Sequence, residues 1–409
     1  MPKSNFFTGQ PIFSQLLSFV PRSLVKQLTR KHKADHYYKK FTAYDHLVSM
    51  LFCGFHRCSS LRELITGLQA NSHRLIHLGL KYTPRRSTLA DANKRRSAAF
   101  FQDLFHALYR HHYGSLPDSR IKGKLDEKLF VIDSTTISLF CDVLKGAGTY
   151  GLNGKKKGGI KAHVLTRISD EVPCFVHLSD AVRSDRIFMP MVELPAGSVV
   201  CMDKAYINYK VMSNWTQKGV WWVTRLSERL KYEIIENRPL KEHHQNQGIR
   251  RDSEILLGNP NDRRQRQLQK ARLVTYYDQV AKREFVFLTN NLHYSPLTVA
   301  YIYQKRWNIE LLFKRVKQNF QFHNFLGDNE NAIKIQLWCT LIADLLISIV
   351  KRRVDRLRKR KWSFANIAGL IRQHLTTYID LMRFLINPEK AIIAYSHEAT
   401  RHQLDLFKT

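Results

Sequence analysis

From residue 128 onward the chain carries three short runs, KLFVIDSTTISLF, GIKAHVLTRIS and EVPCFVHLSD, rich in β-branched and aromatic residues and separated by Gly, Asp and Ser. Such runs predict three strands in close succession. A helix around 184–194, the strand SVVCMD, a helix around 206–218 and the strand VWWVTRL complete the block. This order predicts a mixed α/β sheet and excludes a pure helical bundle. Residues 227–284 are polar and basic with strand-like runs such as RLVTYYDQV, and FVFLTNN follows. The flanks differ in texture. Residues 1 to about 115 show helical apolar spacing in FSQLLSFVPRSLVKQL and YDHLVSMLFCGFHRC, and the region after residue 333 is helical again. Within the first flank, TPRRSTLADANKRR sets Thr88 three residues before Asp91 as N-cap and capping-box partner of a helix that exposes Asn93, Lys94, Arg95 and Arg96. Its basic face suits a DNA groove, or simply solvent.

A formal charge of +32, from 66 Lys and Arg against 34 Asp and Glu, calls for a polyanionic partner. Nucleic acid fits better than a membrane, because the most apolar stretch, residues 335–350, is short and interrupted by Gln336 and Asp344. The first residues, MPKSNFFTGQPIF, lack the unbroken apolar run of a signal peptide, which leaves a reducing cytoplasm as the expected setting. The cysteines are scattered; Cys53 and Cys58 flank His56, but no second ligand pair follows at zinc spacing. GAGTYG at 146–151 runs into LNGKKKGG instead of opening a helix, and no Gly-Lys-Ser/Thr phosphate loop is present, so no nucleotide cofactor is expected. Lys155, Lys156 and Lys157 in that segment are candidates for phosphate contact.

Two carboxylates stand where apolar strands make a charge unwelcome: Asp133 in LFVIDSTT and Asp203 in VVCMDKAY. Each requires a partner or a cation, unless it is a strand-end turn residue. A third lies in YIYQKRWNIELLFKRVKQNF, residues 301–320. Read as one helix at roughly 100° per residue, Tyr303, Arg306, Glu310 and Lys317 share an arc about 60° wide. Leu312, Phe313, Val316 and Phe320 flank it on one side, Trp307 and Leu311 on the other. A narrow polar line between apolar flanks suits the wall of a cleft. Carboxylates from two strands and a helix suit Mg²⁺, a hard, oxygen-seeking ion.

The two strand aspartates and Tyr303-x2-Arg306-x3-Glu310-x6-Lys317 resemble the bacterial cut-and-paste DDE transposases of the insertion sequence four family. The resemblance covers about residues 120–330, and the N-terminal region is similar to a domain often fused to these enzymes. It implies a ribonuclease-H-like catalytic core at 119–226 and 285–332, a β-rich insertion at 227–284, an N-terminal helical DNA-binding domain at 1–118 and a C-terminal helical region at 333–409. It also implies two Mg²⁺ ions, replaceable by Mn²⁺, on Asp133, Asp203 and Glu310, with Tyr303, Arg306 and Lys317 on DNA. Partners would be the terminal inverted repeats and target DNA, bound by a homodimer on the bacterial nucleoid; residues 335–350 and the C-terminal helices are candidates for the contact between copies, unless that apolar segment is intrachain core. Trp221, Trp222 and Trp307 are candidates to hold a base that leaves the stack in a hairpin intermediate. A silent DNA-binding remnant and a standalone metal-dependent nuclease stay open as alternatives.

Overall fold

The computed structural model describes residues 9–116, 125–138, 149–150, 156–157, 159–181, 183–228, 230–258, 261, 268–320 and 325–396. The chain divides into two compact units, residues 1–116 with 314–409, and residues 117–313.

The first unit is helical. Its N-terminal part comprises α1 (Ile12–Leu17), α2 (Arg22–Lys31), α3 (Ala43–His56), α4 (Leu61–Ala70), α5 (Arg86–Arg95) and α6 (Ala98–His112). A capping box between Thr42 and Asp45 starts α3, and Arg57, at φ 59°, ends it in the left-handed conformation. The Thr88–Asp91 box is not formed, because α5 begins at Arg86 and leaves Thr88 inside its first turn.

The second unit holds β1 (Leu129–Ser138), a ribbon of β2 (Thr149–Tyr150) and β3 (Lys156–Lys157), then β4 (Gly159–Arg167), β5 (Pro173–Asp180), β6 (Val199–Met202), α7 (Tyr209–Gln217), β7 (Trp221–Arg225), β8 (Tyr232–Asn237), α8 (Glu242–Asn246), β9 (Ile249–Leu257), β10 (Gln269–Asp278), β11 (Arg283–Thr289) and α9 (Pro296–Gln304). Among the described residues its main sheet has nine strands in the order β5-β4-β1-β6-β7-β11-β10-β9-β8. β1, β6 and β7 are parallel; β4 and β5 on one side, and β11 to β8 on the other, run antiparallel to their neighbours. β8, β9 and β10, the strands within residues 227–284, extend the same sheet beyond β11.

The helix expected around 184–194 is replaced by two 3₁₀ turns, Asp185–Ile187 and Met189–Met191. Pro190 supplies no amide to an α-helical ladder there. Phe188 and Met189 of these turns pack with Ile132, Val200, Met202, Trp215 and Trp222 in a core that extends to Ile255 of β9 and Leu273 of β10. Buried Arg272 donates to both carboxylate oxygens of Asp252, at 2.7 and 2.6 Å, and to the carbonyl of Tyr294, tying β10 and β9 to the segment that leads into α9.

α10 (Trp307–Asn319) crosses from the second unit into the first. The first unit closes with α11 (Glu330–Leu357), α12 (Phe364–Gln373) and α13 (Leu381–Ile386). α11 is its axis, packed by α3, α5, α6, α12 and α13. By length and composition α11 is apolar enough to cross a membrane, but it is buried within the unit. The two polar residues interrupting 335–350 are both satisfied. Gln336 accepts from the amide of Leu326 at 2.8 Å, and Asp344 accepts from Nε and a terminal nitrogen of Arg315 at 3.1 and 2.6 Å. The expectation that 335–350 forms a surface between copies is therefore corrected: apart from half-buried Leu341, these residues are core. The basic run 351–361 is also partly structural. Lys351 pairs with Asp355 at 2.5 Å, Arg353 lies over Phe19, and Arg358 bonds the carbonyls of Leu385 and Ile386.

Candidate active site

Asp133 and Asp203 are neighbours because of strand register. β1 and β6 pair in parallel from Leu129 opposite Val199 to Ile132 opposite Met202, and each aspartate follows next in its chain. They stand at the carboxyl end of β6, where open α/β sheets bind ligands. Asp203 caps the turn Lys204–Tyr206, its Oδ1 accepting from the amide of Ala205 at 3.0 Å. Asp133 accepts from the amide of Ser134 at 2.8 Å.

Residues 301–320 are two helices instead of one. α9 stops at Gln304, and α10 starts at Trp307. Between them the amide of Arg306 bonds the carbonyl of Tyr303 at 3.0 Å, three residues back, which tightens the turn. The expected apolar flanks also differ from each other. Leu312, Val316 and Phe320 are buried, whereas Trp307 and Leu311 are 59% and 50% exposed.

At that turn Arg306 reaches two acids with its two terminal nitrogens, Oδ2 of Asp133 at 2.7 Å and Oε1 of Glu310 at 2.6 Å. Its Nε is buried and makes no hydrogen bond. Burial raises the pKa of Asp133 to about 6; the amide of Ser134 and Arg306 pull it down, while Asp203 and Glu310 push it up. Asp133 thus feels the charge of both other carboxylates. Burial disfavours the charged form of Arg306, but Asp133, Tyr303 and Glu310 outweigh it and hold the guanidinium protonated above its ordinary range.

Tyr303 is buried, its ring 4.8 Å from Phe287, and burial raises its phenol to about 12. A cavity of about 580 Å³ beside it is walled by Trp307, Phe285, Phe287, Arg225 and Arg283 among others. Both arginines lie over the Phe285 ring, at 5.2 and 4.5 Å. Of the three tryptophan candidates, Trp222 is core and donates from Nε1 to Thr216, Trp221 is half-buried, and Trp307 opens to solvent.

The other candidates divide. Lys317 is exposed on α10, in the part of that helix belonging to the first unit. Lys155 lies outside the described residues; Lys156 and Lys157 form β3. Arg95 is exposed at the end of α5. Arg96 is corrected, being only 2% exposed: its guanidinium donates to the carbonyls of Ala34 and Phe41 at 2.9 and 2.8 Å and lies over Tyr38, so it is unavailable to DNA. The sequence offered no sign of one cluster beneath the site. There Asp185 accepts from Ser134 Oγ at 2.9 Å and stands 3.4 Å from Lys161 and 3.5 Å from His163.

The donor chemistry is that of a hard divalent cation, since Asp133 lies within electrostatic reach of two further carboxylates, Asp203 and Glu310, and Arg306 now holds Asp133 and Glu310. Among the described residues no three His, Cys, Asp or Glu side chains stand close enough together, as arranged here, to hold a metal ion.

Residues 124–346, over half the chain, match the Transposase DDE domain. The chain belongs to the DDE transposase family. Residues 8–81 match a domain of unknown function (DUF4372). The transposase is 28% identical over 272 residues to a putative transposase, y4zB, of Sinorhizobium fredii, covering 66% of this chain and 72% of that one. It is 26% identical to a probable transposase for insertion sequence element IS5377 of Geobacillus stearothermophilus, over 55% of this chain and 57% of the relative. It is 23% identical to a putative transposase for insertion sequence element IS4SA of Synechocystis, over 64% and 71%. The insertion sequence four resemblance agrees with these relatives, and the transposase is a DNA-cleaving and strand-transferring enzyme. Members of the family work with divalent metal ions.

Proposed function

We propose that the transposase excises an insertion sequence at its terminal inverted repeats by Mg²⁺-dependent hydrolysis and transesterification, through a hairpin, and joins it to target DNA. The observation that supports this most is that Asp133 feels the charges of both Asp203 and Glu310, with one guanidinium bridging Asp133 and Glu310. In this reading those carboxylates hold two Mg²⁺ ions, for which Mn²⁺ substitutes. When bound, such ions activate water against a phosphodiester and offset charge on the leaving 3′-oxygen.

The protein's own groups do the positioning. Arg306 and Lys317 hold phosphates by charge-assisted hydrogen bonds, and Tyr303 orients phosphate or sugar near the cut. Exposed Trp307 offers a face on which a base leaving the stack can rest. In the hairpin step the freed 3′-hydroxyl attacks a phosphodiester of the opposite strand and expels the 3′-oxygen of the flanking DNA, and water later reopens the hairpin.

We assign end recognition to residues 1–118, supported by the exposed Arg85, Arg86, Lys94 and Arg95 along α5. Residues 119–226 with 285–332 form the catalytic domain in this assignment, residues 227–284 the insertion, and residues 333–409 the C-terminal region. A homodimer pairs the two ends, because two-fold symmetry matches paired inverted repeats.

A supercoiled donor carrying the DNA that flanks this gene tests the reading. Hairpin and joined products are expected in Mg²⁺. Binding without cleavage would leave a DNA-binding remnant, and cleavage without hairpin or joining would leave a nuclease.

A further inference from the structure

We infer that Arg306 competes with the divalent cation for Asp133 and Glu310, and that a DNA phosphate removes the competitor, so that metal binding and DNA binding are coupled through this one side chain. The inference rests on the carboxylate metal site proposed above.

The geometry carries it. One guanidinium spans the two acids with terminal nitrogens at 2.7 and 2.6 Å, using oxygens that a cation would need. The Asp133, Arg306 and Glu310 side chains are only 17%, 18% and 33% exposed, so the ion pairs are weakly screened by water. A dication entering beside a fixed guanidinium would meet like-charge repulsion as well as occupied ligands. The remaining donor, Nε, is buried and unpartnered, so the present position leaves the guanidinium incompletely satisfied. A phosphodiester offers two anionic acceptor oxygens suited to the flat guanidinium. Moving Arg306 onto DNA would free Asp133 and Glu310 and remove a positive charge from between them.

Reciprocity then requires that DNA tighten metal binding by the same factor as metal tightens DNA binding. The free enzyme, with its carboxylates closed by their own arginine, would carry little metal and cut little. Arg306 is in this sense a positioning residue whose target changes from protein to DNA.

The test measures Mn²⁺ binding to the full chain by electron paramagnetic resonance, with and without a short blunt DNA duplex, subtracting Mn²⁺ bound by the duplex alone. Without DNA, Arg306→Gln should bind Mn²⁺ at least about tenfold more tightly than the unaltered protein, equivalent to about 1.4 kcal/mol. The duplex should tighten Mn²⁺ binding in the unaltered protein and have little effect in Arg306→Gln. Arg306→Lys, which keeps the charge but cannot span both acids, should fall between them. Equal affinity with arginine and glutamine, or equal tightening by DNA in both, would overturn the inference while the metal site stands. Should Arg306→Gln fail to fold, the unaltered protein alone decides: absence of any tightening by DNA overturns the coupling. Asp133→Asn and Glu310→Gln separate the two readings. If these changes leave Mn²⁺ binding intact, or if no form of the protein binds Mn²⁺, the carboxylate site itself falls, and the coupling with it.

Discussion

Glu310 and Arg306 meet at 2.6 Å across one helical turn, yet replacing them should produce different failures. Glu310→Gln keeps the shape and removes an anionic ligand. Strand cleavage should fall by about 10³-fold or more, in line with the several kcal/mol that metal-ion catalysis contributes, while DNA binding survives. Arg306→Ala should instead let nicked donor accumulate at the expense of hairpin. The acids were legible in the sequence because Asp133 and Asp203 interrupt apolar strands, where a charge requires a reason. Asp185 was not legible. It lies in a short 3₁₀ turn whose contact with Ser134 depends on tertiary folding. Titration at a second residue is also predictable. Burial lowers the pKa of His46, which bonds Asn93 at 2.7 Å, to about 3. Because the folded value lies below the ordinary one of about 6.5, the stability contribution of His46 is complete above pH 6.5 and declines as pH falls toward 3. Urea denaturation across that range should show stability falling with acid, and His46→Gln should flatten the slope; an unchanged slope would count against this.

At the scale of elements, the single helix read over 301–320 is two, and the misreading has a physical cause. A rotation of roughly 100° per residue assumes an unbroken ladder, and neither Pro nor Gly marks the tightened turn at Arg306. The turn nevertheless brings Arg306 between Asp133 and Glu310, so the grouping of Arg306 with Glu310 was legible while the local path was not. α11 poses the opposite problem. Its apolar stretch is interrupted by Gln336 and Asp344, which argues against a membrane span, and packing decides between a dimer face and a core. Asp344, 1% exposed in its side chain, identifies the core role through Arg315. Arg315→Ala should cost about 3–5 kcal/mol by leaving a buried carboxylate unpaired, whereas Arg315→Leu with Asp344→Leu should recover most of it. Chemical denaturation measures both; a single variant as stable as the parent would show that the pair is replaceable. In α5, likewise, Lys94→Ala with Arg95→Ala should weaken DNA binding without loss of stability. Arg96→Ala should destabilise the fold by about 1–3 kcal/mol, through the two carbonyls it leaves unpaired.

For the whole molecule, the +32 charge predicts DNA affinity that falls steeply with salt, each neutralised phosphate adding nearly one to the slope of log K against log salt. Some of that charge is committed internally, as with Arg96, Arg272 and Arg358, so the slope should be well below what the basic residues in the sequence suggest. An affinity flat between low and physiological salt would contradict an electrostatic interface. Composition made the partner legible, and the Tyr-Arg-Glu-Lys spacing made the chemistry legible. The guanidinium between two carboxylates was not, because spacing reports which residues share a face but not what their side chains hold. The most direct measurement is a gel of nicked, hairpin and joined DNA from a supercoiled donor in Mg²⁺, comparing the unaltered transposase with Glu310→Gln. The unaltered enzyme should yield all three species, and the variant should bind the donor and leave it supercoiled. Cutting by Glu310→Gln at the parental rate would contradict the assignment of Asp133, Asp203 and Glu310 as the catalytic centre.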